Sequence, residues 1–509
     1  MTSGIYLGAR LTARAIWTER ARRLAAALRD MGVGEDDVIA VLLRNDVAYF
    51  EVVEACRYLG AYYVPLNWHG SRDELLSIIQ DSGARLLIGH SDLTVDFMAV
   101  AARSVPIIAV STPDEILAAY SGVAVTPDGQ IDYDRLVAET APIEGPPRRY
   151  RGVLAYTSGS TGRPKGIRRI AAAETPDAYT KFAEQASAVL QLRPNDRFYV
   201  AAPLYHSAPN ALSIFCLAAG YADLFIAPKF DPELFLSDVA SHGITHCYIV
   251  PTMMARLLKL PEAVRSRYDL STLRFGISTG SPWPADMKRA MIDWLGPIFY
   301  ESYGASELGF MTLISSAESL RKPGSVGQVL PGGEIRILDD NGRPLPAGQE
   351  GSIFVDFPTS GGFSYSNVAG DLDGQRQGRF ATVGDVGYLD EEGYLFICDR
   401  KKDMIISGGA NIFPAEIEAA LIEMPQVADC AVFGAPHDEF GEMVVAAVQC
   451  VPGETLTQQA VAQFLSARIA RFKIPRQIDL HGELPREDSG KIFKQRLRAP
   501  YWDSAGRQI

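Results

Sequence analysis

One stretch, Tyr156-Thr-Ser-Gly-Ser-Thr-Gly-Arg-Pro-Lys-Gly166, concentrates three glycines and four small hydroxyl residues within eleven positions. It follows a short apolar run, Gly152-Val-Leu-Ala155, that reads as a strand. Glycines let the backbone bend until several N–H groups converge on one anion, and hydroxyls add further donors. Lys165 supplies a compact cation suited to phosphate. The spacing fits neither G-x-x-x-x-G-K-[ST] nor G-x-G-x-x-G. Phosphate binding by a different kind of loop is therefore expected, with Thr157, Ser158, Gly159, Ser160, Thr161, Gly162 and Lys165 as the binding residues. An ordinary flexible loop is the bland alternative. His242 and His246, an i, i+4 pair beside Cys247, could form a metal face on a helix. Gly243 and the β-branched pair Ile244-Thr245 favour a turn into a strand instead, which makes these structural histidines.

Other charged motifs follow in order. They are Tyr303-Gly-Ala-Ser-Glu307, Lys322-Pro-Gly-Ser-Val-Gly327, Val383-Gly-Asp385, Asp399-Arg-Lys-Lys-Asp403, Ser407-Gly-Gly-Ala-Asn411, Pro414-Ala-Glu-Ile-Glu418 and Pro485-Arg-Glu-Asp-Ser-Gly-Lys491. With the loop at 156–166, this series resembles the signature motifs of the adenylate-forming (AMP-binding) superfamily. That superfamily includes acyl-CoA synthetases, peptide-synthetase adenylation domains and firefly-type luciferases. The resemblance spans nearly the whole chain.

The resemblance implies ATP, Mg2+ and CoA as cofactors and a small-molecule carboxylic acid as substrate. Residues 157–165 would hold the β- and γ-phosphates. Tyr303 would stack on adenine, with Ser302, Gly304, Ala305, Thr279, Gly280 and Ser281 around the nucleotide. Ser306 would donate to phosphate, and Glu307 would bind Mg2+, a hard cation suited to carboxylate and phosphate oxygens. Asp385 would accept from both ribose hydroxyls, with Arg400 as an added donor. Lys491 would bridge the substrate carboxylate and the α-phosphate, where developing charge calls for a preorganised cation.

For the second half-reaction the small C-terminal domain would rotate about Lys402. That rotation would withdraw Lys491 and bring Ser407, Gly408, Gly409 and Asn411 to the active site. Arg471, Lys473 and Arg476 are candidates for CoA phosphates, against the bland reading of a solvated face. His206, in Leu204-Tyr-His-Ser207, is the catalytic gate candidate beside the acid. Tyr248, Val250, Ser278 and Gly304 would complete the acid's surroundings. These segments show no Asp or Lys to bind an α-amino group, which disfavours amino acids. Two departures from the family pattern stand out: Val383 replaces the usual Thr, and Ser306 stands where Thr is commoner.

These residues need a scaffold. The first half alternates helix-like runs (Thr18–Met31, Ala48–Tyr58) with short apolar strands: Val38–Leu43, Ala61–Pro65, Arg85–Gly89, Ile107–Val110, Arg197–Ala201 and His246–Val250. That rhythm suggests a largely parallel sheet covered on both faces. After about residue 325, short strands alternate with turn signals at Asp340-Asn341-Gly342, Gly348–Gly351 and Glu391–Gly393. The last unit mixes strands (Ala428–Phe433, Val444–Cys450) with helices (Pro414–Glu423, Gln458–Arg471). The fold class expected is α/β: a large N-terminal body of two α/β subdomains plus a small β subdomain at 325–398, then a mobile small α+β C-terminal domain. The boundaries expected are 1–400 and 401–509.

At 509 residues, 47% hydrophobic and 22% charged, the chain has the composition of a multi-unit globular protein rather than a disordered one. A net charge of −12 argues against nucleic acid and against a polybasic membrane surface. Arginines 10, 14 and 20 with Glu19 interrupt any apolar leader, and the run Ala211–Ala222 is too short to span a bilayer. The six scattered cysteines contain no CxxC pair and read as reduced thiols, which with the missing leader points to the cytoplasm. A monomer or homodimer is expected. Three alternatives stay open. The acyl group could pass to a separate carrier protein, the fold could serve as a noncatalytic nucleotide-binding protein, or, least favoured, it could be a luciferase.

Overall fold

The run Val38–Leu42 is a strand buried on both faces, and its neighbours in the sheet are all parallel to it or to one another. In the computed structural model this sheet has the order Tyr62–Pro65, Val38–Leu42, Leu86–His90, Ile107–Val110, Ile131–Asp132. Residues 3–95, 105–126, 129–148, 150–157, 165–169, 188–281, 283–357, 363–365, 375–408, 410–486 and 492–504 are described. They divide into two compact units. The first comprises 1–321, 330–332 and 357–373; the second comprises 322–329, 333–356 and 374–509. Most of segment 325–398 thus clusters with the residues that follow it.

Helix boundaries in the first unit follow local chemistry. Asp46 accepts from the Val47 N–H and starts helix Val47–Leu59, which Gly60 ends in the left-handed conformation. Ser71 caps Arg72–Ser82, and Gly83 ends it in the same way. A second sheet runs Arg10–Ala13, Gly4–Leu7, Asp223–Ile226, Arg197–Val200, His246–Tyr248, Phe275–Thr279, Phe299–Ser302, Thr312–Ser315. It is parallel from Gly4–Leu7 through Phe299–Ser302 and antiparallel at both ends. One core joins the two sheets: Leu24, Val52 and Leu212 from helices pack with Ile39 and Ile88 of one sheet and Ile5 and Val200 of the other.

The turn into a strand expected at Gly243 is present. His242 ends helix Pro232–His242, Gly243 breaks it with φ +58, and His246 opens the next strand. That strand stops at Tyr248, two residues earlier than expected, because Pro251 at a helix's first turn commits the chain to helix Pro251–Leu258.

The second unit contains an antiparallel sheet with strands Glu334–Leu338, Gly351–Asp356, Asp385–Leu389, Leu395–Arg400 and Ser325–Val329. Its turns fall at the expected glycines, with positive φ at Gly342, Gly348 and Gly393. A further sheet pairs Val427–His437 with Gly441–Cys450, and Gln477–His481 joins the latter in parallel. Helices Pro414–Ile422 and Gln458–Ser466 pack on one face of this sheet through Ile417, Leu421, Val461 and Leu465. Helix Lys494–Ser504 packs on the other through Leu497 and Tyr501.

The helix expected over Gln458–Arg471 ends at Ser466. The chain turns extended at Ala470, with φ −62 and ψ 141, and a short 3-10 turn over Arg471–Lys473 then leads to strand Gln477–His481. The six cysteines are free thiols. No helix among the described residues is long and apolar enough to cross a membrane.

Candidate active site

In the first unit the candidate residues gather at the carboxyl ends of neighbouring parallel strands, where open α/β sheets bind ligands. Strand Arg197–Val200 runs into the segment holding Leu204 and His206. Strand His246–Tyr248 leads to Val250, strand Phe275–Thr279 to Gly280 and Ser281, and strand Phe299–Ser302 to Tyr303. The register places Val200 beside Tyr248, Tyr248 beside Ile277 and Thr279 beside Ser302.

Ser278, Thr279 and Ser302 are buried. The Tyr248 hydroxyl donates to the Thr279 carbonyl at 3.4 Å, and burial pushes its pKa well up, so it stays protonated. The Ser302 hydroxyl donates to the Thr312 carbonyl at 2.7 Å, which locks the strand end. The Ser278 hydroxyl is buried with no partner among the described residues.

Gly304 and Ala305 pair antiparallel with Phe310 and Gly309, forming a tight hairpin. Ser306 and Glu307 lie in its turn, closed by the Leu308 N–H to Ala305 carbonyl bond at 3.2 Å. A Cβ at Gly304 would sit 2.4 Å from the Gly309 carbonyl oxygen, so only glycine fits there. His206 precedes helix Ser207–Ala219, and its ring centre lies 4.4 Å from that of Tyr205. The Ser207 and Ser306 hydroxyls are 3.0 Å apart. The Leu204–Ser207 segment and the Tyr303–Glu307 motif, a hundred residues apart in sequence, therefore meet directly.

The loop at 156–166 joins two paired strands. Leu154–Thr157 and Lys165–Arg169 run antiparallel with Thr157 opposite Lys165, so the loop's two ends are held one strand spacing apart. Tyr156 anchors this base by donating to the Asp81 carboxylate. Ser158, Gly159, Ser160, Thr161 and Gly162 lie outside the described residues.

In the second unit Asp385 opens its strand, is buried, and is opposite Arg400 in register. The Arg400 Nε lies 3.5 Å from the Asp385 carboxylate. Lys402 sits in the exposed turn that follows. Asp399 spans that turn: its carboxylate accepts from the Arg400 N–H at 2.7 Å and from the Ala415 N–H at 2.9 Å. It thereby caps the first turn of helix Pro414–Ile422.

Ser407 ends strand Ile405–Ser407, and Gly408 follows in the left-handed conformation, its N–H donating to the Phe440 carbonyl at 2.8 Å. The Arg476 guanidinium lies 4.3 Å over the Phe440 ring, while the Lys473 ammonium is paired with Glu416 at 2.5 Å. Gly409 and Lys491 lie outside the described residues. The backbone on either side of Lys491 is pinned, since Arg486 and Ile492 bridge and the Phe493 N–H donates to the Pro485 carbonyl at 2.7 Å. Two residues after Ile492, Lys494 pairs with Glu418 at 2.7 Å.

A metal would find one carboxylate here. No group of three or more His, Cys, Asp or Glu residues that could hold a cation occurs among the described residues. Glu307 at a hairpin tip suits Mg2+, which keeps several waters and takes one or two carboxylates plus substrate phosphates.

Sequence reading missed Ser207 and a buried polar triplet, Arg44-Asn45-Asp46, that lies behind it. The available signal was the triplet itself, three polar residues immediately after an apolar strand, at its carboxyl end.

The sequence matches the family described as AMP-binding enzyme over residues 5–361, and the AMP-binding enzyme C-terminal domain over 416–491. It is 32% identical over 480 residues to the indoleacetate–CoA ligase of Aromatoleum aromaticum, covering 94% of this chain and 90% of that protein. It is 34% identical over 487 residues to a feruloyl-CoA synthase of an Amycolatopsis species, covering 94% and 92%. The solved structure of Bacillus subtilis o-succinylbenzoate CoA synthetase (MenE), in complex with the acyl-adenylate intermediate OSB-AMP, matches with a TM-score of 0.82 at 28% identity, covering 97% and 94%. Sequence, fold and the residues gathered at the strand ends agree: the chain belongs to the AMP-binding, adenylate-forming enzyme family and is an AMP-forming acid–thiol ligase of the acyl-CoA synthetase kind.

Proposed function

We propose that this enzyme activates an apolar carboxylic acid, aromatic or arylalkanoic in the first instance, and transfers it to CoA. The observation that carries this reading is the 3.0 Å contact between Ser207 and Ser306, which joins the candidate acid segment to the candidate nucleotide motif. A carboxylate oxygen attacks the α-phosphorus of ATP, the bond to the bridging oxygen breaks, and pyrophosphate leaves with its electron pair. The product is a mixed anhydride, the acyl-adenylate. Lys491 stabilises the charge that develops on the α-phosphate, residues 157–165 hold the departing phosphates, and Ser306 donates to them. Asp385 and Arg400 hold the ribose. Glu307 would hold Mg2+, which when bound neutralises phosphate charge.

The CoA thiol then attacks the acyl carbon and AMP leaves. Residues 401–509 act as the mobile domain, pivoting at Lys402, and glycine as the residue type at 408 and 409 suits close passage of a pantetheine arm. Arg476 over Phe440, next to Gly408, offers a cation for CoA phosphate. Support for an aromatic acid comes from relatives named for indoleacetate and ferulate. The absence of an Asp or Lys among Tyr248, Val250, Ser278 and His206 agrees with it. Six free thiols suit a cytoplasmic setting, and the enzyme works as a monomer or homodimer.

The test is AMP release across a panel of aromatic, arylalkanoic and straight-chain acids, with and without CoA. AMP release that requires both an apolar acid and CoA is expected. Release indifferent to CoA would favour a carrier protein as acceptor, and no pyrophosphate release with any acid would refute ligase function.

A further inference from the structure

Behind Leu204–Ser207 lie three consecutive buried polar side chains: Arg44, Asn45 and Asp46, at 7%, 2% and 4% exposure. Asn45 holds backbone. Its amide donates to the carbonyls of Ala202 (3.1 Å) and Ala227 (3.0 Å), and its oxygen accepts from the Leu204 N–H at 3.0 Å. Asp46 holds the first sheet, capping helix Val47–Leu59 and accepting from His90 Nε2 at 3.1 Å. His90 Nδ1 accepts from the Arg44 N–H at 3.2 Å, which assigns the ring proton to Nε2.

Arg44 does something else. Its Nη1 pairs with Asp92 at 2.9 Å, and Thr112 donates to the same carboxylate at 2.6 Å. The guanidinium lies 5.3 Å over Trp68 and 4.9 Å over Tyr120. Trp68 meets Tyr120 edge-on at 5.0 Å and Tyr205 edge-on at 6.1 Å. Tyr205 in turn lies 4.4 Å from His206.

The Arg44 Nε is buried with no partner among the described residues. A site built to maximise hydrogen bonds to this side chain would not leave an N–H unpaired. What the site does provide is two aromatic faces, on which a planar guanidinium can stack as well as attract; the Lys229 ammonium reaches only one of them, 5.7 Å over Tyr120. The bland reading, an ion pair that steadies the first sheet, accounts for Asp92 and Thr112 but not for the rings, which come from other segments.

We propose that Arg44 is a positioning residue for the carboxylic acid. Anchored by Asp92, it fixes Trp68 against Tyr205, and so sets the aromatic wall at Tyr205–His206 against which the acyl group packs. This rests on the proposed function, in which His206 borders the acid. The wall it fixes favours flat, apolar acyl groups over charged ones.

The test is acid-dependent ATP–pyrophosphate exchange with wild type, Arg44→Lys, Trp68→Ala and Trp68→Phe, over aromatic and straight-chain acids. Arg44→Lys keeps the charge and loses the planar face. Trp68→Ala loses the ring and leaves the ion pair intact, so it carries the test if Arg44→Lys fails to fold. Both should raise the KM for aromatic acids about tenfold, the size expected from losing a ring–ring and a cation–ring contact. The KM for Mg·ATP should stay within about twofold, selectivity for aromatic over straight-chain acids should fall, and Trp68→Phe should rescue most of the loss. Unchanged acid KM, or equal changes in both KM values, would overturn the proposal while wild-type exchange leaves the function standing. No wild-type exchange with any acid would overturn the function itself and this inference with it.

Discussion

Gly304→Ala is the sharpest test of how the fold presents Ser306 and Glu307. The added methyl would lie 2.4 Å from the Gly309 carbonyl oxygen and 3.1 Å from the Phe310 Cα. Both are backbone atoms of the facing strand, so no side-chain rotation relieves the clash, and the two strands must part by roughly half an ångström or more. Overpacking of this kind costs about 1–3 kcal/mol. The larger consequence is geometric. The displaced turn carries the candidate phosphate donor and the candidate metal carboxylate, and misplacing a reacting constellation by about 1 Å costs about 10²-fold in rate. Adenylation, measured as acid-dependent pyrophosphate exchange, should therefore fall about ten- to a hundredfold, with a raised KM for Mg·ATP. Gly332→Ala is the control: Gly332 also stands in a turn, at φ +86, but its added Cβ meets nothing within 4 Å. It should lose some stability and no activity. Wild-type exchange kinetics for Gly304→Ala would refute the reasoning that close approach of these two strands positions the motif.

Three further outcomes are expected. Lys491→Ala should slow adenylation by about 10²–10³, while CoA transfer from supplied acyl-adenylate is nearly spared, and equal losses in both steps would remove the domain rotation. Lys402→Pro should fix the pivot and depress one half-reaction well below the other in single-turnover assays, whereas wild-type rates for both would exclude Lys402 as the hinge. Asp238, buried on helix Pro232–His242, has its carboxyl pushed up by burial from its ordinary value near 3.8 to about 7. Between those values the folded protein holds a proton that the unfolded chain has lost, so stability falls as pH rises through that window and levels off above about 7. Asp238→Asn should remove this slope, worth a few kcal/mol at most at about 1.4 kcal/mol per unit, in urea midpoints compared at pH 4.5 and 7.5. Parallel pH profiles for wild type and variant would refute it.

What could be read from the sequence, and what could not, divides along a physical line. Strand Ile107–Val110 and helix Val47–Leu59 are encoded by contiguous residues, through apolar runs, an Asp cap and a terminal glycine, and they stand where the patterning put them. Asp385 and Arg400, named from motif resemblance alone, lie at the two ends of one hairpin and meet in register. Helix Gln458–Ser466 falls short of its expected end because the chain turns extended at Ala470 on its way to strand Gln477–His481, a tertiary demand that helical spacing does not carry. The partners of Arg44, Asn45 and Asp46 were illegible for a different reason. Asn45 bonds to Ala227, 182 residues away, and the rings that meet Arg44 come from segments with no pattern in common. Residues that touch a ligand tend to come in short motifs, because one loop must present several donors at once. Residues that act through others carry no such constraint on spacing. Their trace in a sequence is polarity where the fold demands burial, as in the three polar side chains that follow Leu43 at the end of a strand whose five residues are all buried. Polar groups are costly to bury unless they are paired, so a buried run of them at a strand's carboxyl end is itself a reason to look for the residues it holds.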